Sequence, residues 1–300
     1  MIKSVTRQRN QLGECPVWSP VERRLYWMDL LEPALYAYDY DNGSVSGRSL
    51  PEYAGGLVLR ERGGLVLGLQ SRVAALNPNS GELETLGRLD DLHPAVRFND
   101  AKADALGRLF IGNMKDPGIA PAGRPVSESE QAGAGALYLL DLDGSFRLCE
   151  SGLGIPNGFA WSLDDSLMYL ADSLREAIFV QDYDLAGGTF ANRRLFAATR
   201  DEPGVPDGAC LDAEGCLWSA RHGGGCIVRY RPDGEIAARI TLPVSLPTSL
   251  AFGGPELETL YVTTASDGLD AAELAGQPLA GLLLALDVGV KGAPAHPYRG

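Results

Sequence analysis

The chain has 300 residues, of which 45% are hydrophobic, and this ordinary globular composition argues against a disordered protein. Its 39 Asp and Glu outnumber its 26 Lys and Arg, and the resulting charge of −13 disfavours partners that present phosphate, namely nucleic acids and anionic membrane surfaces. The five cysteines are odd in number and lack a metal-type C-x-x-C spacing, so we expect no disulfide framework and a cytoplasmic protein. We find no apolar run of transmembrane length and no signal-peptide pattern in residues 1–10.

Six short segments with one shared pattern recur along the chain. In order they are GECPVW (13–18), AGGLVL (54–59), FNDAKA (98–103), PNGFAW (156–161), PDGACL (206–211) and PTSLAF (247–252). Each is followed by a polar turn and then by an apolar run of strand length, at 25–29, 65–69, 109–113, 167–172, 217–221 and 260–264, and a third such run ends most units. Runs of this kind bounded by turns are typical of antiparallel β-structure, and no segment has a sustained helical period with caps.

The second residue of each segment serves as an anchor for measuring the repeat. The anchors, at positions 14, 55, 99, 157, 207 and 248, lie 41, 44, 58, 50 and 41 residues apart, and four-stranded propeller blades usually span about 40–50 residues. We therefore predict an all-β fold, a six-bladed β-propeller of four-stranded antiparallel blades that forms one domain over residues 1–300. Residues 115–135, rich in Pro, Gly, Ala and Ser, lengthen the third interval and are predicted to form an insertion loop. A pair of β-sandwiches would not explain one pattern repeated six times.

The anchors also predict a metal site. In chain order they are Glu14, Gly55, Asn99, Asn157, Asp207 and Thr248. Because the innermost strand of each blade lines the central channel, equivalent positions should form a ring near one mouth. Carboxylates that share a desolvated pocket repel each other unless a cation or a proton separates them. Oxygen donors suit one divalent ion, Ca²⁺, Mg²⁺ or Mn²⁺, whereas Zn²⁺ usually prefers nitrogen or sulfur. The competing interpretation is that Pro-Asn-Gly and Pro-Asp-Gly are ordinary turns, but Glu14 has no turn signature.

Motifs around these anchors resemble those of the regucalcin/gluconolactonase family, also called the senescence-marker-protein group, of sugar lactonases. The matching motifs are GECPVW, RFNDAKAD, IPNGFAWSLDD, YLADS, VPDGACLDAEGCLW, AFGGPELETLYVTTASDGL and GVKG, and they span nearly the whole chain in the family's order. The resemblance implies a six-bladed propeller with one divalent metal and lactonase activity. It further implies that Glu14, Asn157 and Asp207 bind the metal, while Arg97 and Asn99 contact the sugar.

Two positions depart from the family's pattern. Several members carry a Glu before the strand that begins GALY, and the corresponding position here is Gln131, with Glu130 and Glu128 close by. After the LWSA strand, where relatives often carry an aromatic residue or Asn, this chain has His222 followed by three glycines. Gln131 and His222 are therefore candidate substrate contacts, and the substrate preference of relatives does not transfer.

The function predicted from these residues is hydrolysis of an aldonolactone, a cyclic ester, to the aldonic acid. Such hydrolysis passes through a tetrahedral oxyanion, which a metal ion stabilises by polarising the carbonyl. Asp207 is the candidate general base, and the rival version is that it only orients a metal-bound hydroxide. Serine-hydrolase chemistry is not supported, because no G-x-S-x-G elbow is present. Two alternatives stay open, a metal-dependent esterase or phosphotriesterase and a non-enzymatic calcium-binding propeller. The sequence does not specify an oligomeric state.

Overall fold

The computed structural model describes residues 2–70, 72–90, 92–120 and 126–300, which form six four-stranded antiparallel sheets. In chain order the strands are β1 (Ile2–Ser4), β2 (Gly13–Ser19), β3 (Arg24–Asp29), β4 (Ala34–Asp39), β5 (Val45–Ser49), β6 (Ala54–Leu59), β7 (Leu65–Leu69), β8 (Arg72–Leu76), β9 (Leu83–Arg88), β10 (Val96–Ala103), β11 (Leu109–Lys115), β12 (Gly135–Leu140), β13 (Phe146–Leu153), β14 (Pro156–Trp161), β15 (Leu167–Asp172), β16 (Ala177–Asp184), β17 (Thr189–Ala198), β18 (Val205–Leu211), β19 (Leu217–His222), β20 (Cys226–Tyr230), β21 (Ile236–Thr241), β22 (Pro247–Gly253), β23 (Thr259–Thr264) and β24 (Leu284–Asp287). The short helices are α1 (Glu128–Gln131) and α2 (Ala271–Gly276), and single 3₁₀ turns occupy Pro117–Ile119 and Ser173–Arg175.

The sheets are the blades of a closed propeller. Blades one to five are β2–β5, β6–β9, β10–β13, β14–β17 and β18–β21, each in chain order from the inside outward. Blade six has the order β22-β23-β24-β1, so the first strand of the chain pairs with the last, with Ile2 opposite Leu286. Each inner strand contacts the inner strands of both neighbouring blades, which closes a ring. The prediction of an all-β, six-bladed propeller with four-stranded antiparallel blades is confirmed.

The apolar core lies between adjacent blades rather than at one centre. One cluster joins blades three and four, where Phe110 packs on Trp161 with ring centroids 5.3 Å apart. Another joins blades five and six, where Trp218 meets Phe252 edge-on at 6.0 Å. Fully burying a large apolar side chain contributes about 1.5–3 kcal/mol, so these interfaces hold the ring together.

A β-bulge occurs in every inner strand close to its anchor. Glu14 pairs with Met28, but the next pair is Val17 with Tyr26, so two residues of β2 oppose one residue of β3. The same one-residue shift occurs in β6, β10, β14, β18 and β22. A bulge redirects the side chains beside it. Because all six inner strands have the bulge beside the anchor, their anchor side chains take equivalent directions at the channel mouth.

The segment 115–135 runs from β11 to β12 within blade three. Its described part contains the turn Pro117–Ile119, where the carboxylate of Asp116 accepts from the backbone N–H of Gly118 at 2.7 Å, and α1. Throughout the described residues, no helix is long and apolar enough to cross a membrane. All five cysteines lie in the described part of the chain, and each is a free thiol.

Candidate metal centre

The anchors of blades one, three, four and five meet at one mouth of the central channel. Asn99, Asn157 and Asp207 are each less than a tenth exposed, and the side-chain nitrogen Nδ2 of Asn99 donates to Oδ1 of Asn157 at 2.7 Å. The carboxylate of Asp207 lies close enough to Glu14 to raise its pKa. The two acidic and two amide anchors therefore form one group, in which Gly55 contributes no side chain.

Three carboxylates share this desolvated space. Burial raises the pKa of Glu14 well above its usual value, and the charges of Asp207 and Asp100 raise it further, while Arg97 opposes the rise. Burial also raises the pKa of Asp207, with Asp100 adding to the effect. Buried like charges are stable only when a proton or a cation lies between them. The arrangement fits a divalent cation, which would remove the need for protonation.

The cation would need an amide ligand. Among the residues that the structure describes, no three His, Cys, Asp or Glu side chains are grouped so as to hold a metal ion by themselves. Asp100 is already engaged, because its carboxylate accepts from the backbone N–H groups of Ala101 at 2.8 Å and Gly158 at 2.9 Å. Glu14, Asp207 and the amide oxygen of Asn157 are the oxygen donors that could hold such a cation.

A directional chain of hydrogen bonds fixes the two amides. Nη1 of Arg97 donates to Oδ1 of Asn99 at 2.8 Å, so the nitrogen of Asn99 faces Asn157. On the far side, Nδ2 of Asn157 donates to Oγ of Ser173 at 2.9 Å, and Ser173 donates to the carbonyl of Pro206 at 2.7 Å. Each amide oxygen accepts one hydrogen bond and keeps one lone pair. The donor to Asn99 is a positively charged guanidinium, which makes the oxygen of Asn157 the better ligand for a cation.

Comparison with known proteins agrees with this fold and shows the family of the chain. The sequence profile described as "SMP-30/Gluconolactonase/LRE-like region" matches residues 12–266. The chain belongs to this family. It is 35% identical to the 6-deoxy-6-sulfogluconolactonase of Pseudomonas putida, covering 100% of this chain and 99% of that protein, and 36% identical to the pentonolactonase of Haloferax volcanii, covering 95% and 93%. The solved structure of a calcium-binding protein, regucalcin, from Agrobacterium tumefaciens superposes with a TM-score of 0.90 at 27% identity, covering 99% of this chain and 97% of that one.

Asp100 and Asp116 belong to the site but were not singled out from the sequence. Asp100 follows the anchor Asn99. In the other five repeats of this chain, the residue after the anchor is Cys, Gly or Ser. This single acid among six equivalent positions was a usable signal. Asp116 pairs with Nε of Arg97 inside the protein. It lies past the end of β11, outside the repeat, and nothing in the sequence pattern points to it.

The predicted contact at Gln131 is hydrogen-bonded to Lys115, the residue before Asp116. Gln131 is nine-tenths buried, and its Nε2 donates to the carbonyl of Lys115 at 3.2 Å, while no described residue donates to its Oε1. Glu130 instead faces solvent, where bonds from Ser127 and then from Lys115 lower its pKa to about 2. The side chain of Glu128 lies outside the described residues. Of Gln131 and Glu130, only Gln131 is therefore buried.

His222 ends β19 and pairs with Val205, which precedes the Pro-Asp-Gly anchor of the same blade. It therefore lies towards the same mouth as Asp207. Burial lowers the pKa of His222, and the charge of Asp267 opposes the shift only in part. The imidazole is consequently neutral at pH 7, with one nitrogen that donates and one that accepts.

Glycine at position 158 is required by both conformation and space. Its φ is +58°, and a Cβ there would stand 2.7 Å from the carbonyl oxygen of Asp207 in the next blade. We expect Gly158→Ala to cost about 1 kcal/mol for the left-handed backbone and about 1–3 kcal/mol more for the clash, measured by urea unfolding. Gly152→Ala is the matched control, because Gly152 has φ +79° and nothing within 4 Å of an added Cβ. Equal losses in the two variants would contradict the close approach of β14 and β18.

Proposed function

We propose that this protein is a lactonase that hydrolyses an aldonolactone to the aldonic acid at the mouth of its channel. The observation that carries the proposal is a buried group of three carboxylates beside the Arg97–Asn99 pair. The names of the Pseudomonas and Haloferax relatives, which are both sugar lactonases, support the same class of substrate.

The residues proposed to hold a divalent cation are Glu14, Asn157 and Asp207. Their oxygen-only donor set favours Ca²⁺, Mg²⁺ or Mn²⁺ over Zn²⁺. A cation bound there would polarise the lactone carbonyl and stabilise the oxyanion of the tetrahedral intermediate.

Asp207 is proposed as the general base. It would accept the proton of the attacking water on a carboxylate oxygen that the cation does not use. Burial and the neighbouring charge of Asp100 raise the pKa of Asp207 in the metal-free site. A bound cation would oppose that rise, so the base would act through the oxygen that the cation leaves free. In the rival version, Asp207 only orients the nucleophile through the same oxygen.

Arg97 is proposed to hold the sugar. Its Nε pairs with Asp116, and its Nη1 donates to Asn99 and to the carbonyl of Phe98. No described residue accepts from Nη2, so this nitrogen has two N–H donors for ring hydroxyls or the lactone oxygen. Gln131 and the neutral His222, which can each donate and accept, would complete the polar contacts. Asn99 would offer only its oxygen, because its amide nitrogen already donates to the carbonyl of Pro156 and to Asn157.

The proposal is tested on protein stripped with EDTA and then resupplied with Ca²⁺, Mg²⁺, Mn²⁺ or Zn²⁺. The substrates are a panel of pentono- and hexonolactones together with an aryl phosphotriester. We expect lactone hydrolysis that disappears with EDTA and returns with a cation. Hydrolysis of the phosphotriester alone would replace the proposal with a phosphotriesterase. Cation binding without turnover of any substrate would favour a non-enzymatic calcium-binding propeller.

A further inference from the structure

The far mouth of the channel holds a second cavity, of about 450 Å³. Its wall includes the six equivalent positions that lie three residues beyond the anchors, which are Val17, Val58, Lys102, Ala160, Cys210 and Ala251. Three residues of strand separate this ring from the anchors by about 10 Å. The volume lies in the range of small-molecule sites, about 300–1,000 Å³.

The C-terminal segment crosses this mouth. The backbone N–H of Ala293 donates to the carbonyl of Leu211 at 3.0 Å, and that of Tyr298 donates to the carbonyl of Leu59 at 2.8 Å, while His296 forms a bridge with Ala103. These partners end the inner strands of blades five, two and three. The residues between the attachment points, 294–296, line the cavity, which is therefore enclosed by strand ends on one side and by the tail on the other.

The remaining wall is mainly apolar, with Trp18, Leu57, Phe159 and Phe252 among its residues. Its six-position ring carries one charge, the ammonium group of Lys102. Burial raises the pKa of the Cys210 thiol to about 12, and Lys102 opposes this rise, so the ammonium lies near the thiol, across the ring.

No described residue forms a hydrogen bond or a direct ion pair with the ammonium group of Lys102, although its charge opposes the rise in the pKa of Asp100, which is therefore a nearby counter-charge. The carboxylate of Asp100 accepts from two backbone N–H groups and makes no direct contact with that ammonium group. A charge that faces apolar surface is costly unless it is paired. An anionic head group entering the cavity would supply a direct contact that Asp100 does not make. Besides Lys102 and Cys210, the ionisable side chains of the lining are Asp165 and His296.

We propose that this far mouth is a second binding site for a small amphipathic monocarboxylate. Its carboxylate pairs with Lys102, and its apolar body lies against Leu57, Phe252 and the neighbouring strand ends. No anchor side chain lines this cavity, so the proposal does not require lactonase activity, although the charge of Lys102 also acts on Asp100 beside the anchors.

The test is calorimetric titration of the full-length, cation-loaded protein with octanoate and with octan-1-ol. Because a hydrogen bond to a charged group contributes about 1.5–3 kcal/mol, Lys102→Met should weaken octanoate binding by about tenfold or more. Octanol binding should change less than about threefold, since the alcohol carries no charge. Lys3→Met, on the exposed edge of β1, is the matched control and should alter neither titration.

A second variant keeps the test decisive if Lys102→Met fails to fold. Ala251→Leu fills the cavity wall and should weaken octanoate and octanol together, while lactone turnover continues. The proposal is overturned if octanoate does not bind, if it binds equally well to the wild type and Lys102→Met, or if an aldonate displaces it, since displacement would assign it to the anchor mouth.

Discussion

Replacing Asp207 with Asn is expected to lower lactone turnover by about 10²–10⁴-fold, the usual contribution of a general base. The amide retains an oxygen for the cation but cannot accept the proton of water at neutral pH. Cation binding should therefore survive, with weaker affinity, while kcat falls. The measurement is kcat at saturating cation, together with calorimetric titration of the cation.

Asp207→Ala separates ligation from proton transfer. This variant loses both the ligand oxygen and the base, so turnover should vanish and cation affinity should fall further than in Asp207→Asn. Asp233→Asn is the matched control, because Asp233 lies in an exposed turn between β20 and β21. If Asp207→Asn retained wild-type turnover, Asp207 would serve at most as a ligand, and the base would have to be sought elsewhere at the mouth.

Three strands of each blade could be read from the sequence because they are buried. The runs at 65–69 and 167–172 coincide with β7 and β15, and the inner-strand segments differ from the observed strands by at most two residues at either end. Buried strands demand continuous apolar residues, and this demand is visible in sequence.

The outer strands escaped the same analysis. β5 (Val45–Ser49) and β9 (Leu83–Arg88) contain no fully buried residue, so their sequences carry polar residues without a strong period. β1 has only three residues, and its pairing with β24 joins positions almost 300 residues apart along the chain. A local sequence pattern cannot reveal this pairing, because β1 pairs with the outer edge of β24 in blade six, which the other strands of the closed ring leave unpaired.

The site was predictable as far as the repeat register extends. The anchors could be identified because the same position recurs in six repeats, and equivalent positions of six blades lie around one axis. The orientation of the Asn99 and Asn157 amides was not predictable, since it depends on Arg97, Ser173 and the carbonyl of Pro206, which come from three blades. Asp116 was missed for a related reason, because only the pairing of β10 with β11 brings it to Arg97.

Glu14→Gln is expected to stabilise the metal-free protein and to weaken its response to cations. The raised pKa values of Glu14 and Asp207 mean that the metal-free folded state binds protons more tightly than the unfolded chain does. Its stability is therefore complete below the ordinary carboxyl pKa and is lost as the pH rises through the raised values. A neutral Gln removes part of this loss, so at pH 8 the metal-free variant should melt roughly 2–5 °C above the wild type.

Cation binding should reverse that order. The wild type gains about 2.7 kcal/mol when the cation is present at 100 times its dissociation constant, whereas Glu14→Gln loses a charged ligand and should gain little. Melting curves at pH 8, with EDTA and with excess Ca²⁺ or Mn²⁺, measure both effects, and Glu235→Gln, an exposed glutamate paired with Arg231, is the matched control. A variant that is less stable than the wild type without metal, yet still stabilised by cations, would mean that repulsion among buried carboxylates does not govern this channel mouth. We expect the variant to be the more stable protein without metal and the wild type to be the more stable with it. Both results follow from the repulsion, since the same charges that destabilise the metal-free site attract the cation.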